Sequence, residues 1–292
     1  MVSVLGCSEP SRAPAAPGDA ATATGDVTAE DAATPEVATE DTATRDVASS
    51  DDASPEDTLG SDAASDAAPA ERRVLFIGNS YTYVNDLPGL LVQLAATSGV
   101  PPKLIAESIT VGGATLESHW TTGTAQARID ERGWYAVVLQ GQSVEPVFPG
   151  STFAAYALKF AARTTAAGAL PVFFGTWARA SGDAVYGEPW SGGTADAMQD
   201  RLTAAYSAAA TKGAGVVAKV GEGFRLSLKT RPSLALHASD GSHPSLAGTY
   251  LAACVFYRQL AGKPLPATAT TPAGLAEPDA SFLRGIASAL PP

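Results

Sequence analysis

Five short runs typical of buried strands alternate along the chain with longer segments of helical periodicity. The predicted strands are Val74–Ile77, Lys103–Ile109, Tyr135–Gln140, Leu170–Phe174 and Gly215–Val220. The predicted helices begin near Asn85 or Asp86, Thr152, Thr194 and Leu246, and a terminal helix covers Ala280–Leu290. Buried strands separated by helices are typical of a parallel sheet that is covered on both faces. The sequence therefore predicts an α/β fold, a three-layer α/β/α sandwich around a mainly parallel five-stranded sheet.

The composition divides the chain near residue 72. Residues 1–72 contain 16 Asp and Glu, 3 Lys and Arg, and no Phe, Tyr, Trp or Ile. A segment this polar and acidic buries too little apolar surface to offset its chain entropy, so we expect it to be disordered. Residues 73–292 carry a net charge of +2 and are long enough for one domain. They have no basic cluster, so we expect no nucleic-acid partner.

The two cysteines lie in different contexts. Cys254 falls in the apolar run Tyr250–Tyr257 and is predicted to be a buried core thiol. Cys7 ends Val4-Leu5-Gly6-Cys7, which resembles the lipobox of bacterial lipoproteins. We therefore expect an exported protein, either secreted or tethered to the cell envelope through a lipidated Cys7. The alternative is a coincidental Leu-Gly-Cys, because the six preceding residues contain neither a positively charged region nor a full apolar region.

Gly78-Asn79-Ser80 directly follows the first predicted strand. In parallel α/β sheets the functional residues lie on the loops beyond the carboxyl ends of the strands. A serine on a tight turn there can expose its Oγ and offer its own N–H to an oxyanion. The G-x-S-x-G nucleophile elbow is not matched, because residue 82 is Thr. Taken alone, the tripeptide is a weak signal and fits a cap of the next helix better than a functional site.

Asp240-Gly241-Ser242-His243-Pro244 precedes the last strong helix. A carboxylate three residues before a histidine can accept from its Nδ1–H and leave Nε2 free to act as a base toward a serine. A surface turn with a satisfied histidine is the alternative for this motif alone. The two motifs together indicate Ser80, Asp240 and His243 as a catalytic triad.

These two segments carry a resemblance to the SGNH hydrolases, the GDSL esterase superfamily. Val74–Thr82 resembles the family's first block, with Asn79 where Asp is commoner, and Asp240–His243 resembles its last block. The resemblance implies a flavodoxin-like sandwich, a Ser-His-Asp esterase and no metal or other cofactor. An uncharacterised branch with a Gln-containing third block is particularly similar, since it shares Leu-Gln-x-x-Ser and Thr-Trp-Ala segments.

The resemblance also implies an oxyanion hole. The second block corresponds to Thr110–Leu116, and we assign its donor N–H to Gly113 in preference to Gly112, beside the N–H of Ser80. The third block usually supplies an Asn, but this chain has Leu139–Ser143 with two glutamines. A Gln amide offers the same N–H donor. We expect Gln140 to be the donor, with Gln142 as the alternative.

Four further side chains are candidates for binding substrate: Gln142, Ser143, His119 and Trp177. For His119 the alternative is a helix-face histidine packed on Trp120, and for Trp177 it is core packing. The Gln-type third block and the expected export favour an enzyme that removes O-acetyl groups from carbohydrate. The substrate is then a small-molecule or polysaccharide ester, and we expect the protein to be a monomer. The rivals are a lipase- or thioesterase-like enzyme for longer acyl chains and an inactive surface carbohydrate-binding protein.

Overall fold

The structure, a computed structural model, describes residues 71–99 and 102–291. The predicted disordered segment, apart from its last two residues, and Cys7 lie outside the described residues. Cys254 is buried as predicted, with 1% of its surface exposed.

The described residues form a five-stranded parallel sheet with the strand order β2-β1-β3-β4-β5. Its strands are β1 Glu71–Gly78, β2 Lys103–Thr110, β3 Ala136–Leu139, β4 Leu170–Phe174 and β5 Val216–Ala218. This confirms the predicted α/β fold with a parallel sheet. β1 begins two residues before the predicted domain start at residue 73.

Nine α-helices occur in the same residues, joined in places by short 3₁₀ turns. They are α1 Ser80–Tyr83, α2 Leu87–Thr97, α3 Leu116–Thr122, α4 Thr124–Asp130, α5 Phe153–Ala166, α6 Ala195–Lys212, α7 Val220–Thr230, α8 Leu246–Ala261 and α9 Glu277–Ala289. None of them is both long and apolar enough to cross a membrane.

Successive side chains of a strand point to opposite faces of its sheet. In β1, Val74 and Phe76 enter one hydrophobic core, whereas Leu75 and Ile77 enter the other, and all four are fully buried. Helices α2, α7, α8 and α9 supply the first core, and α3 to α6 supply the second. Because both faces of the sheet are buried, its central strands are unbroken apolar runs in the sequence. The sheet and the helices on its two faces are the three layers.

The polar side chains predicted to cap α2 and α6 do so in the structure. The Asp86 side chain accepts from the N–H of Gly89 at 3.1 Å and Pro88 lies in the first turn of α2. Thr194 caps α6 in the same way. Each such cap stabilises its helix by about 1 kcal/mol.

The prediction of a strand over Gly215–Val220 was partly wrong. β5 ends at Ala218, and α7 begins at Val220. α7 was not predicted, and packing requires a glycine in its first turn: a Cβ on Gly221 would lie 2.1 Å from the carbonyl oxygen of Thr176. The short helices α3 and α4 were not predicted either, although Thr115 and Ser118 form a capping box at the start of α3.

Candidate active site

Ser80 lies where β1 ends, as the first residue of α1. Asn79 has extended backbone angles and caps this helix, since its Oδ1 accepts from the N–H of Tyr81 at 3.1 Å. Ser80 is half-buried, and its own N–H has no acceptor among the described residues. This N–H is therefore available to a negatively charged oxygen.

His243 reaches Ser80 from the loop before α8. Its Nε2 lies 2.8 Å from Ser80 Oγ, and its Nδ1 lies 2.5 Å from Asp240 Oδ2. Asp240 Oδ1 also accepts from the N–H groups of Ser242 and His243, both at 2.9 Å. These bonds, that of His243 first, lower the pKa of Asp240 to about 2. The structure thus connects the three predicted residues, Ser80, His243 and Asp240, by hydrogen bonds.

The loop that carries Asp240 and His243 is closed by backbone pairing. The N–H of Ala238 donates to the carbonyl of His243, and that of Ser245 donates to the carbonyl of Leu236, both at 2.8 Å. This pairing fixes where Asp240 and His243 leave the backbone.

Tyr81 and Trp177 support this loop from below. The Tyr81 ring meets the His243 ring edge-on at 5.8 Å, and its hydroxyl lies 2.8 Å from Ser242 Oγ. Trp177 stacks on Tyr81 at 4.5 Å and on Phe224 at 4.4 Å, and its Nε1–H donates to the Ser242 carbonyl at 2.9 Å. Because Trp177 is only 2% exposed, its prediction as a substrate-binding residue was wrong; core packing, the alternative, is what the structure shows.

Gly113 lines the same cavity as Ser80. It is exposed and has φ +70°, a conformation that favours glycine, and its N–H has no acceptor among the described residues. The next residue is held in place, because Asn79 Nδ2 donates to the carbonyl of Ala114 at 3.0 Å. Asn79 thus ties the Gly113 turn to the Ser80 turn.

Gln140 does not lie where it was predicted to act. It is fully buried, and its Nε2 donates to Asn79 Oδ1 and to the Gly141 carbonyl, both at 2.8 Å. Its Oε1 accepts from the Asn79 N–H and the Thr82 hydroxyl, both at 2.9 Å. With both amide hydrogens occupied, it has none for an oxyanion. The prediction of Gln140 as the oxyanion donor was therefore wrong.

Gln142, the alternative, lines the cavity beside Ser80. Its Oε1 accepts from the N–H of Val144 at 3.3 Å, and no described residue accepts from its Nε2. The backbone N–H of Gln142 donates to Glu145 Oε2 at 2.9 Å, which fixes the turn. The free amide donor of the third block therefore belongs to Gln142.

His119 was predicted as a candidate to line the substrate pocket, and this was wrong. It is 3% exposed, and its Nε2 lies 2.7 Å from the carbonyl of Gly78. Burial lowers the pKa of His119. The neutral ring donates from Nε2, since a carbonyl can only accept, and so supports the turn before Ser80 from behind.

The cavity around Ser80 has a volume of about 390 Å³. Besides the residues described above, it is lined by Tyr83, Ser143 and Arg179. Ser143 is buried, lines the cavity and accepts from Arg179 Nη2 at 3.0 Å. Arg179 was not predicted from the sequence. Its position soon after β4, beyond the carboxyl end of a strand, could have indicated that it lies at the site. No cluster of three metal-ligating side chains occurs in the described residues.

Solved structures resemble this fold. A protein from Slackia heliotrinireducens assigned to the SGNH hydrolases is 31% identical over 64% of this chain and 98% of its own length, with a TM-score of 0.56. A DUF4886 family protein from Bacteroides uniformis is 17% identical over 74% and 93%, with a TM-score of 0.63. An acetyl-xylooligosaccharide esterase from Geobacillus stearothermophilus is 16% identical over 65% and 94%, with a TM-score of 0.51. The last two show a shared fold. No family model and no curated protein matches the sequence.

Proposed function

This chain belongs to the SGNH hydrolases, and on that premise we propose that it hydrolyses carboxylic esters with Ser80, His243 and Asp240 as its catalytic triad. The observation that carries the proposal is the continuous line from Ser80 Oγ through the His243 ring to Asp240 Oδ2, at 2.8 and 2.5 Å. A nucleophile, a base within hydrogen-bond reach and a group that orients the base are the requirements for acyl transfer.

In the proposed reaction Ser80 Oγ attacks the ester carbonyl carbon while its proton passes to His243 Nε2. Asp240 keeps the proton on Nδ1 and stabilises the imidazolium. His243 then protonates the leaving alcohol, and the acyl group remains on Ser80. A water molecule, deprotonated by His243, attacks this acyl-enzyme, which releases the acid and restores Ser80.

The negative oxygen of each tetrahedral intermediate needs donors that are in place beforehand. We assign three: the N–H groups of Ser80 and Gly113 and the Nε2 amide of Gln142. All three residues line one cavity, and none of these donors has an acceptor among the described residues.

The proposed substrate is an O-acetyl group on carbohydrate. No aliphatic side chain lines the Ser80 cavity in the described part of the chain, so a long acyl chain would find only the Tyr81 and Tyr83 rings as apolar surface. Tyr83 lines this cavity and is 47% exposed, and Phe148 lines an adjoining cavity and is 50% exposed. Gln142 belongs to both cavities. Exposed aromatic rings suit stacking on the faces of a sugar, and the Geobacillus structure is that of an esterase for acetylated xylooligosaccharides.

The test is hydrolysis of 4-nitrophenyl acetate, butyrate and octanoate by the full chain and its Ser80→Ala variant. We expect acetate to be preferred and Ser80→Ala to lose about 10⁴- to 10⁶-fold in kcat. Ser207→Ala, on the exposed side of α6, is the matched control and should be unchanged. Wild-type turnover by Ser80→Ala would overturn the triad.

Two other outcomes would favour the rivals. Turnover that rises with chain length would indicate a lipase- or thioesterase-like enzyme. A folded protein that is retained on polysaccharide but turns over no ester would indicate the inactive carbohydrate-binding protein. Export, a tether through Cys7 and the monomeric state stay predictions.

A further inference from the structure

Arg179 places a positive charge beside the proposed triad. It follows β4 on the Trp177 loop and lines the cavity of about 390 Å³ that contains Ser80 and His243. It also lines an adjoining cavity of about 310 Å³. The guanidinium group therefore lies where a substrate larger than an acetyl ester would extend from Ser80.

The charge of Arg179 is not neutralised by an ion pair. No carboxylate lies within 4 Å of it among the described residues, whereas Arg163 pairs with Asp130 and Arg225 with Asp200. The nearby carboxylates have other partners: Asp183 accepts from the N–H of Val185, and Asp240 is bonded to His243.

The Arg179 side chain is nevertheless held in place. Its Nη2 donates to Ser143 Oγ at 3.0 Å, and its Nε is buried without an acceptor. The next residue, Ala180, donates its N–H to the Gly241 carbonyl at 2.8 Å, which ties Arg179 to the loop of Asp240. The buried Nε–H cannot reach a substrate, but no described residue accepts from Nη1, and Nη2 has a second hydrogen beside the one bonded to Ser143. A positioned guanidinium with free terminal N–H groups fits the two oxygens of a carboxylate, and such bonds are stronger than neutral ones.

We propose that Arg179 binds a carboxylate on the alcohol part of the ester, so that the substrates are acetyl esters of acidic carbohydrates or other carboxylated alcohols. This proposal rests on the proposed function. Because an acetyl group carries no charge, the anion must belong to the alcohol, and Arg179 lines the cavity of about 310 Å³ as well as that of Ser80.

The experiment compares 3-acetoxybenzoate with 3-acetoxybenzamide, which have the same shape but differ in charge. The full chain and its Arg179→Gln and Arg163→Gln variants are assayed for kcat/KM on both. For each variant, kcat/KM for the benzoate is divided by kcat/KM for the benzamide, so a loss of activity that affects both esters equally does not change the ratio. We expect the benzoate-to-benzamide ratio to fall about tenfold or more in Arg179→Gln and to stay unchanged in Arg163→Gln. The wild-type preference should also weaken as salt is added.

An Arg179→Gln variant with the wild-type ratio would overturn the proposal, and so would an equal fall in Arg163→Gln. Arg179→Lys keeps the positive charge but not the two-pronged guanidinium geometry, so it should retain part of the preference for the benzoate. Failure of the proposed function looks different, since neither ester would then show Ser80-dependent turnover. Thermal denaturation of each variant verifies that it is folded.

Discussion

Asn79 and Gln140 hold each other through a reciprocal pair of hydrogen bonds. The Asn79 N–H donates to Gln140 Oε1 at 2.9 Å, and Gln140 Nε2 donates back to Asn79 Oδ1 at 2.8 Å. Both residues are buried, so water does not compete for these bonds. The pair connects the end of β3 to the turn that presents Ser80, and this sets the position of the proposed nucleophile.

Replacing Gln140 with Leu should destabilise the fold. Leu has a similar volume but leaves the Asn79 N–H and the Thr82 hydroxyl buried without partners, at a cost of about 2–4 kcal/mol. Urea unfolding followed by circular dichroism measures this cost. Gln142→Leu is the matched control and should unfold close to the wild type, since its Nε2 has no described partner. Equal stabilities for the two variants would contradict the structural role of Gln140.

The same two variants separate stability from catalysis. Gln142→Leu removes a proposed oxyanion donor and should lower kcat about 10²- to 10³-fold. The measurement is kcat for 4-nitrophenyl acetate at saturating substrate, with thermal denaturation as the check on folding. Should Gln142→Leu keep full activity, the third donor must be sought elsewhere in the cavity.

Asp240 should make stability depend on pH in the acid range. Its folded pKa of about 2 lies below the ordinary value of 3.8. Ionisation therefore favours the folded state: the contribution is complete above pH 3.8 and is lost as the pH falls through 2. Asp240→Asn has no such contribution, so the difference in Tm between wild type and variant should shrink between these pH values. A difference that is constant with pH would argue against the Asp240–His243 bond.

Two glycines should respond to alanine in opposite directions. A Cβ on Gly78 would lie 2.4 Å from Gln140 Oε1 and 2.8 Å from Thr82 Oγ1, so Gly78→Ala should displace the Ser80 turn and reduce both Tm and kcat. Gly285 is exposed inside α9, where a Cβ meets nothing. Gly285→Ala should stabilise the protein by about 0.5–1 kcal/mol and leave kcat unchanged. Calorimetry measures the Tm of each variant, and hydrolysis of 4-nitrophenyl acetate measures its kcat.

The sheet was predictable because its strands are buried on both faces and its helices are capped. Leu170–Phe174 is the fourth strand at the predicted residues, and Thr194 caps α6 as expected. α7 was not predicted. Its Gly221 and Gly223 lower helix propensity, and the contact that requires Gly221 comes from the loop after β4, far away in sequence.

The candidate site was only partly predictable for a related reason. Ser80, Asp240 and His243 are marked by their residue types, their spacing and their place beside the sheet. The choice between Gln140 and Gln142 depends on which side chain turns toward the cavity, and a strand that is apolar on both faces gives no such signal. His119 and Trp177 were placed near the site correctly but on its buried side.

The loop from Leu236 to Ser245 is closed by its own backbone bonds, and Asp240 and His243 both lie within it. The bond between Asp240 and His243 is therefore local in sequence, although Tyr81 and Trp177 support the loop from other parts of the chain. The contact between His243 and Ser80 instead spans 163 residues, so it waits until the two ends of the domain meet. During refolding, enzyme activity should therefore return only after this long-range contact has formed, an event on which the spectroscopic signal of the helices does not report.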